Sequence, residues 1–374
     1  MGWWWRKKNK IKKRILDRGA KLLKDLIEFG HGQSNPIKFF SADEILKATN
    51  NFSYCNRVYG CASYHKWYSG ENENHPMVLI NKGFGWWSNL KEDLLCRDIA
   101  VSSMVSGHKN FMKLVGCCLE FEYPVLVYNG VKKHCQLEIR EQTWKRRMKI
   151  AQDIATALAY LHTAFPRPFV YRILSHLNIL LDEDGVAKLT NFSHCVSIPE
   201  GETFVRVDRA PEGFYSYLDD NYKRSGVVSE KTDVFAFGIF MGLRLLLGDE
   251  SFFEPSRRNE KESEGEIFDS GMKRRVRNLL SKLKEDRPME EIADPKMIKM
   301  MGQISEQERC QMKAFMMLSV RCIGEEVPTM VEVAKELKKI QRSLFNDSSL
   351  SSSGQAQFDS FQDISSTVVL SNQT

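Results

Sequence analysis

The stretch Val170-Tyr171-Arg172-Ile173-Leu174-Ser175-His176-Leu177-Asn178-Ile179-Leu180-Leu181-Asp182 constrains this chain more than any other. It sets a few polar side chains at fixed places in an apolar run. Thirteen residues beyond Asn178, a second such run, Ala187-Lys188-Leu189-Thr190-Asn191-Phe192-Ser193, presents Asn191. With 374 residues, 42% hydrophobic and 27% charged, the chain can bury a sizeable core, which suits one globular unit of two lobes with tails. No apolar run approaches a membrane span. The start is Trp-rich and basic without a following apolar segment, so no secretory signal is expected. The 9 cysteines are scattered and form no CxxC pair, the pattern of buried thiols in a reducing, cytoplasmic compartment. Adjacent Cys117 and Cys118 lie in an apolar run and read as core.

Patterning divides the chain further. A basic head over 1–36 carries Arg6, Lys7, Lys8, Lys10, Lys12, Lys13 and Arg14, and contributes much of the net charge of +6. Ser41-Ala42-Asp43-Glu44 is a capping box that should open a helix through Ile45, Leu46 and Ala48, stopping near Asn50-Asn51. A strand-rich region follows to about Tyr128, so 37–128 reads as a smaller β-rich lobe. Apolar spacing at Met148, Ala151, Ile154, Ala155, Leu158 and Leu161 predicts a helix from Trp144 to His162. The apolar run Thr232 to Leu247 predicts a buried helix, and two terminal helices fit Gln307–Cys322 and Pro328–Leu344. The region 129–345 is then a larger helical lobe, with a charged, mobile insertion over about 248–273. Residues 346–374 are Ser- and Gln-rich, the composition of a disordered tail.

These runs resemble the catalytic loop and metal-binding motif of protein kinases, H-R-D-L-x-x-x-N and D-F-G. Ser41 and its neighbours from Phe39 to Phe52, His108 to Cys118, Ala157 to His162 and Lys231 to Gly238 resemble, in order, motifs of plant receptor-like cytoplasmic kinases. More closely, Tyr160-Leu161-His162-Thr163-Ala164-Phe165-Pro166 and Ile198-Pro199-Glu200-Gly201-Glu202 resemble the ZRK group, pseudokinase adaptors of a plant intracellular immune receptor. The resemblance implies an α+β, two-lobed protein-kinase-like fold, with a small β-rich N-lobe and a larger helical C-lobe.

Position by position, the residues of phosphoryl transfer are missing. Ile173 stands where the catalytic base belongs and Asn191 where a carboxylate holds magnesium. Losing a general base alone costs on the order of a hundred- to ten-thousand-fold in rate, and an amide does not neutralise a metal's charge as a carboxylate does. Of the glycine-rich loop only Gly60 survives. Ala62 and His65 carry side chains where backbone amides should approach phosphate. Asn81 replaces the strand-three lysine. Lys82 is adjacent, but alternation along a strand sends it to the opposite face unless the register slips by one. The helix-C glutamate is replaced by Asp98 or Ile99. Asn178 is retained, as a tie for its own loop. Ala210-Pro211-Glu212 looks like the end of an activation segment but lies 21 residues before Asp233, too far for that motif. Gly213 to Tyr222 fits better, with Asn221 in the glutamate position and Val327 in that of its arginine partner. Losing both members together leaves no lone buried charge.

The expected protein is a catalytically inactive kinase-fold adaptor or decoy in plant innate immunity, with no metal and no ATP–magnesium cofactor. The alternatives are a weak or unconventional serine/threonine kinase and a nucleotide-binding regulatory module. Gly19, Leu23, Leu26 and Ile27 form an apolar stripe on a helix. It packs on the chain itself or docks into a partner's groove. The ZRK resemblance favours the leucine-rich-repeat region of an NLR immune receptor, with effector-targeted cytoplasmic kinases and pathogen effectors as further partners. Ser193, Ser197, Thr203 and Ser216 are modification candidates in the activation-segment region. Trp3-Trp4-Trp5 and the basic run suit peripheral contact with the plasma membrane. Nothing else in the chain supports nucleic-acid binding.

Overall fold

The computed structural model describes residues 2–30, 36–58, 65–72, 75–83, 92–130, 135–136, 139–208, 217–248, 281, 287–324 and 326–342. Two compact units emerge: residues 1–137 with 160–205, and residues 138–159 with 206–374. The catalytic-loop region thus groups with the N-terminal strands, and the first boundary falls beyond the Tyr128 expected from patterning.

The first unit begins with α1, Gly2–Gly30, one helix of 29 residues. The basic run is its first half rather than a separate head, because Lys and Arg are good helix formers and nothing there interrupts winding. Arg18, Leu22, Asp25 and Phe29 recur at i, i+4, i+7 and i+11 and are buried, and α1 packs on α3, Glu92–Val105. Arg18 is the anchor. Its guanidinium donates to the carbonyls of Leu119 at 3.0 Å, Phe121 at 2.6 Å and Glu122 at 2.6 Å. Lys21 pairs with Asp93 at the same junction. Phe29 meets Phe169 edge-to-face at 5.6 Å.

Strand β1, Lys38–Phe39, leads into α2, Ala42–Ala48, which carries the expected reciprocal capping box between Ser41 and Glu44. Positive φ at Asn50, Asn51 and Phe52 ends it where the two asparagines predicted. The sheet runs β1-β4-β5-β3-β2, with β2 His65–Asn72, β3 His75–Gly83, β4 Leu114–Cys118 and β5 Val125–Asn129. Only β1 pairs in parallel, against β4. At Gly116 a Cβ would collide with the Lys38 carbonyl, so the close approach of β1 requires glycine there. One face of the sheet buries Phe40, Ile45, Tyr68, Ile80, Cys118, Val125 and Val127 as a core. Cys117 and Cys118 are both buried thiols, as their apolar setting predicted.

Short strands β6 Cys135–Gln136, β8 Ile179–Leu181 and β9 Ala187–Leu189 pair in the order β6-β8-β9, and β7 Phe169–Val170 pairs with β10 Val196–Ser197. Asn110 ties the turn after α3 to β9 by donating from its side chain to the Ala187 carbonyl at 3.1 Å and accepting from the Leu189 amide at 2.8 Å.

The second unit is helical. Helix α4, Trp144–Thr163, matches the predicted periodicity. Trp144 donates to Gln311 at 3.2 Å and meets Phe315 edge-to-face at 5.1 Å on the helix Glu306–Ile323. Helix α5 is Asp220–Ser225 and α6 is Glu230–Ile239. The single buried helix expected over 232–247 instead changes winding and continues as a π-helix, Phe240–Leu246. Asn221 is exposed and accepts the Ser225 hydroxyl at 3.1 Å. The buried ion pair described in this unit lies elsewhere. Arg147, with no exposed side-chain surface, meets Asp294 at 2.6 Å and donates to the carbonyls of Leu245 and Gln142. The 13-residue helix Met330–Arg342 completes the unit. The insertion and the Ser/Gln-rich tail lie outside the described residues.

Candidate functional site

The kinase-like positions come together within the first unit. On β3, Asn81 pairs across the sheet with Trp67 of β2 and Leu126 of β5. Residues directly opposite share a face, so Asn81, Trp67, Leu126 and, two residues on, Tyr128 line the same surface. That surface is filled. Trp67 is 3% exposed, and its ring lies 5.6 Å from that of Tyr128. Asn81 is buried beside them, and its Oδ1 has no hydrogen-bond partner among the described residues. Lys82 points to the opposite face, where its Nζ sits 3.9 Å from the centre of the Phe52 ring. Burial there, with Lys66 nearby, lowers its pKa. The one-residue slip is therefore absent, and among the described strand residues no lysine lies on this surface. Gly60 and Ala62 lie outside the described residues; His65 opens β2.

The acidic position on α3 is Asp98; Ile99 is a fully buried core residue. Asp98 Oδ1 accepts the Phe192 amide at 2.7 Å and the Ser102 hydroxyl at 3.3 Å. Burial pushes its pKa up to about 6 against the lowering pull of those bonds. This carboxylate holds the start of the activation-segment region rather than a lysine.

The catalytic-loop residues form a continuous network. Ile173 is wholly buried and offers no group that could accept a proton. Asn178 donates through Nδ2 to the Ile173 carbonyl at 2.9 Å, a bond within its own loop. Asn191, in the left-handed region at φ 62°, donates through Nδ2 to Asn178 Oδ1 at 3.2 Å. Asparagine tolerates that backbone better than most residues. The Ser193 hydroxyl donates to Asn191 Oδ1 at 2.7 Å. Tyr171 donates to the Thr190 carbonyl at 2.6 Å, and Thr190 bonds the Asn178 carbonyl through both amide and hydroxyl. Arg172, also at positive φ, donates to the His194 carbonyl at 2.9 Å. His194 is pushed down to about 4 by burial, then by Arg172 and Arg97.

The side chains at the two cation-facing positions, Asn178 and Asn191, are amides hydrogen-bonded to each other, and the strand-three lysine position is held by buried Asn81. No group of three or more metal-ligating side chains occurs among the described residues.

The modification candidates separate. Ser193 is buried with its hydroxyl engaged, Ser197 is half-buried, Thr203 is exposed and Ser216 lies outside the described residues. The stripe separates too. Leu23 and Ile27 are 58% and 61% exposed, while Gly19 and Leu26 are half-buried. Beyond its own helix backbone and chain neighbours, no described heavy atom lies within 4 Å of where a Gly19 Cβ would stand. Leu16, 72% exposed, extends the stripe by about one turn and was missed, because an apolar residue in so charged a run looks like ordinary surface. Leu16, Gly19, exposed Phe39 and Leu119 are among the residues lining a groove of about 600 Å³.

The family model for protein tyrosine and serine/threonine kinases matches residues 64–262. A probable inactive receptor-like protein kinase of Arabidopsis thaliana is 77% identical over 372 residues, covering 99% of this chain and 100% of the relative. The inactive serine/threonine-protein kinase ZRK12 of the same plant is 62% identical, over 99% of this chain and 90% of its own length. The non-functional pseudokinase ZRK15, also from Arabidopsis thaliana, is 51% identical over 91% of this chain and 96% of its own.

Proposed function

Because this chain belongs to the protein kinase family, and within it to the inactive members of the ZRK group, we propose that it works as a binding scaffold in plant innate immunity, linking an intracellular leucine-rich-repeat immune receptor to effector-targeted cytoplasmic kinases. The observation that carries this reading is the two-faced α1. Arg18, Leu22, Asp25 and Phe29 fix one face to the rest of the first unit, while Leu16, Leu23 and Ile27 stand exposed on the other. A stripe that contributes nothing to the chain's own core suits helix-in-groove docking. The packed face also holds the stripe in one orientation, which lowers the ordering cost of binding. The activation-segment region around exposed Thr203 is the stretch proposed to meet a recruited kinase or an effector. The basic first half of α1 is proposed to touch an anionic membrane surface. No described helix is long and apolar enough to cross a membrane.

The test is titration calorimetry of the full chain with a purified receptor leucine-rich-repeat region. Burying an exposed Leu or Ile is worth about 1.5–3 kcal/mol. Leu23→Asp and Ile27→Asp should therefore each weaken binding by more than about tenfold, with the unfolding temperature unchanged. Equal affinity in the wild type and the Leu23→Asp/Ile27→Asp double variant overturns the assignment of the stripe.

A further inference from the structure

The cation-binding pair of the kinase fold has here become a cation-independent latch, we infer, and the amide at 191 is what allows it. The direction of the hydrogen bonds fixes this. The Ile173 backbone carbonyl can only accept, so Asn178 must present its Nδ2 to it, at 2.9 Å. That leaves Asn178 Oδ1 facing residue 191 at 3.2 Å, and only a donor can meet it there. Asn191 is that donor. Its own Oδ1 is taken by the Ser193 hydroxyl at 2.7 Å. Both departures from D-F-G, the asparagine and the serine, therefore belong to one chain of matched donors and acceptors. The chain continues through the backbone to Phe192, whose amide is held by Asp98 of α3 at 2.7 Å. Residues 173, 178, 191, 193 and 98 are all buried, where a mismatch of polar groups is costly.

A carboxylate at 191 would set oxygen against oxygen at Asn178, a conflict that a divalent cation between them relieves. The fold would then depend on the cation for the order of this segment. With asparagine it does not, so the segment is held whether or not nucleotide and metal are at hand. A scaffold that must present one surface at all times is served by that independence. The inference does not rest on the identity of any partner.

The experiment compares the full chain with Asn191→Asp in EDTA and in 5–10 mM MgCl2, a range set by the roughly millimolar affinity of weak carboxylate sites. The readouts are the unfolding temperature and amide hydrogen exchange over residues 189–194. Wild-type values should not respond to magnesium. Asn191→Asp should unfold several degrees lower in EDTA, with exchange at Phe192 faster by about tenfold or more, and magnesium should restore much of both. Asp98→Leu should speed Phe192 exchange in a way magnesium does not repair. Equal stability and exchange of Asn191→Asp and wild type in EDTA overturns the inference, as does wild-type protection that appears only with magnesium. If Asn191→Asp does not fold, Ser193→Ala serves instead. It should speed exchange over 189–194 without any magnesium response, and unchanged exchange overturns the inference.

Discussion

Replacing Trp67 with alanine probes whether the Asn81 face of the sheet is core or cleft. An indole buries roughly 200 Å² or more, worth about 5 kcal/mol at ~25 cal/mol per Å². Large aromatic-to-alanine changes in packed cores cost about 3–5 kcal/mol once the cavity is counted. With Trp67 3% exposed and set against Tyr128, about 4 kcal/mol is the expected loss. For a unit of this size that lowers the unfolding temperature by roughly 8–16 °C. Trp67→Phe keeps a ring beside Tyr128 and should cost about 1–2 kcal/mol. Urea unfolding followed by circular dichroism gives both numbers. Opening the space should not create a nucleotide site, because Asn81 supplies no positive charge and Lys82 faces away. A loss below about 1 kcal/mol in Trp67→Ala, or recovery of its stability by ATP, would show that this face is an open cleft and refute the packing argument.

Two further perturbations have definite signs. Asp98, raised to about 6, keeps a proton in the folded protein that the unfolded chain loses above about 4, so its contribution to stability falls as pH rises from 4 to 6. His194, lowered to about 4, stays neutral while the unfolded chain takes up a proton below about 6.5, so its contribution falls as pH drops from 6.5 to 4. Each effect is on the order of 3 kcal/mol, and they oppose. Asp98→Asn should unmask stability that rises with pH between 4 and 6.5, and His194→Gln stability that falls between 4 and 6. Urea midpoints across that range check both, and variants that keep the wild-type profile would contradict the assignment. In the second unit, Asp294→Ala strands the buried Arg147 guanidinium and should cost about 3–5 kcal/mol. The Arg147→Met/Asp294→Leu pair should recover much of that in the same assay, since no charge is left buried alone.

The lost catalytic positions were legible because the kinase-like motifs hold their spacing in apolar runs. Ile173, Asn178 and Asn191 can be read off once the runs are aligned, and strand alternation alone placed Lys82 on the far face from Asn81. Helix ends with local chemistry were legible as well, as in the Ser41–Glu44 box and the stop at Asn50. What escaped depends on contacts between residues far apart in the chain. Nothing near Arg18 says that its charge will be buried against three carbonyls more than a hundred positions away. Nothing near Trp67 says that its ring will pack beside Tyr128 on the Asn81 face. The partnership of Ser193 with Asn191 is local, but its meaning depends on the direction of the Asn178 bond, which only the folded loop fixes. The stripe at Leu23 and Ile27 was visible by periodicity, yet whether it packed inward or stood exposed depended on a second face of the same helix, carried by Arg18, Leu22 and Phe29.

The central claim is that this kinase fold has given up its nucleotide chemistry and keeps its shape without it. The most direct test is a thermal-shift titration of the purified full chain with ATP and magnesium. A ligand at a hundred times its dissociation constant adds about 2.7 kcal/mol, a rise of several degrees. The account predicts no change in unfolding temperature up to millimolar ATP with magnesium. A magnesium-dependent rise of that size would contradict it, by showing that the site behind Trp67 and Asn191 still receives a nucleotide.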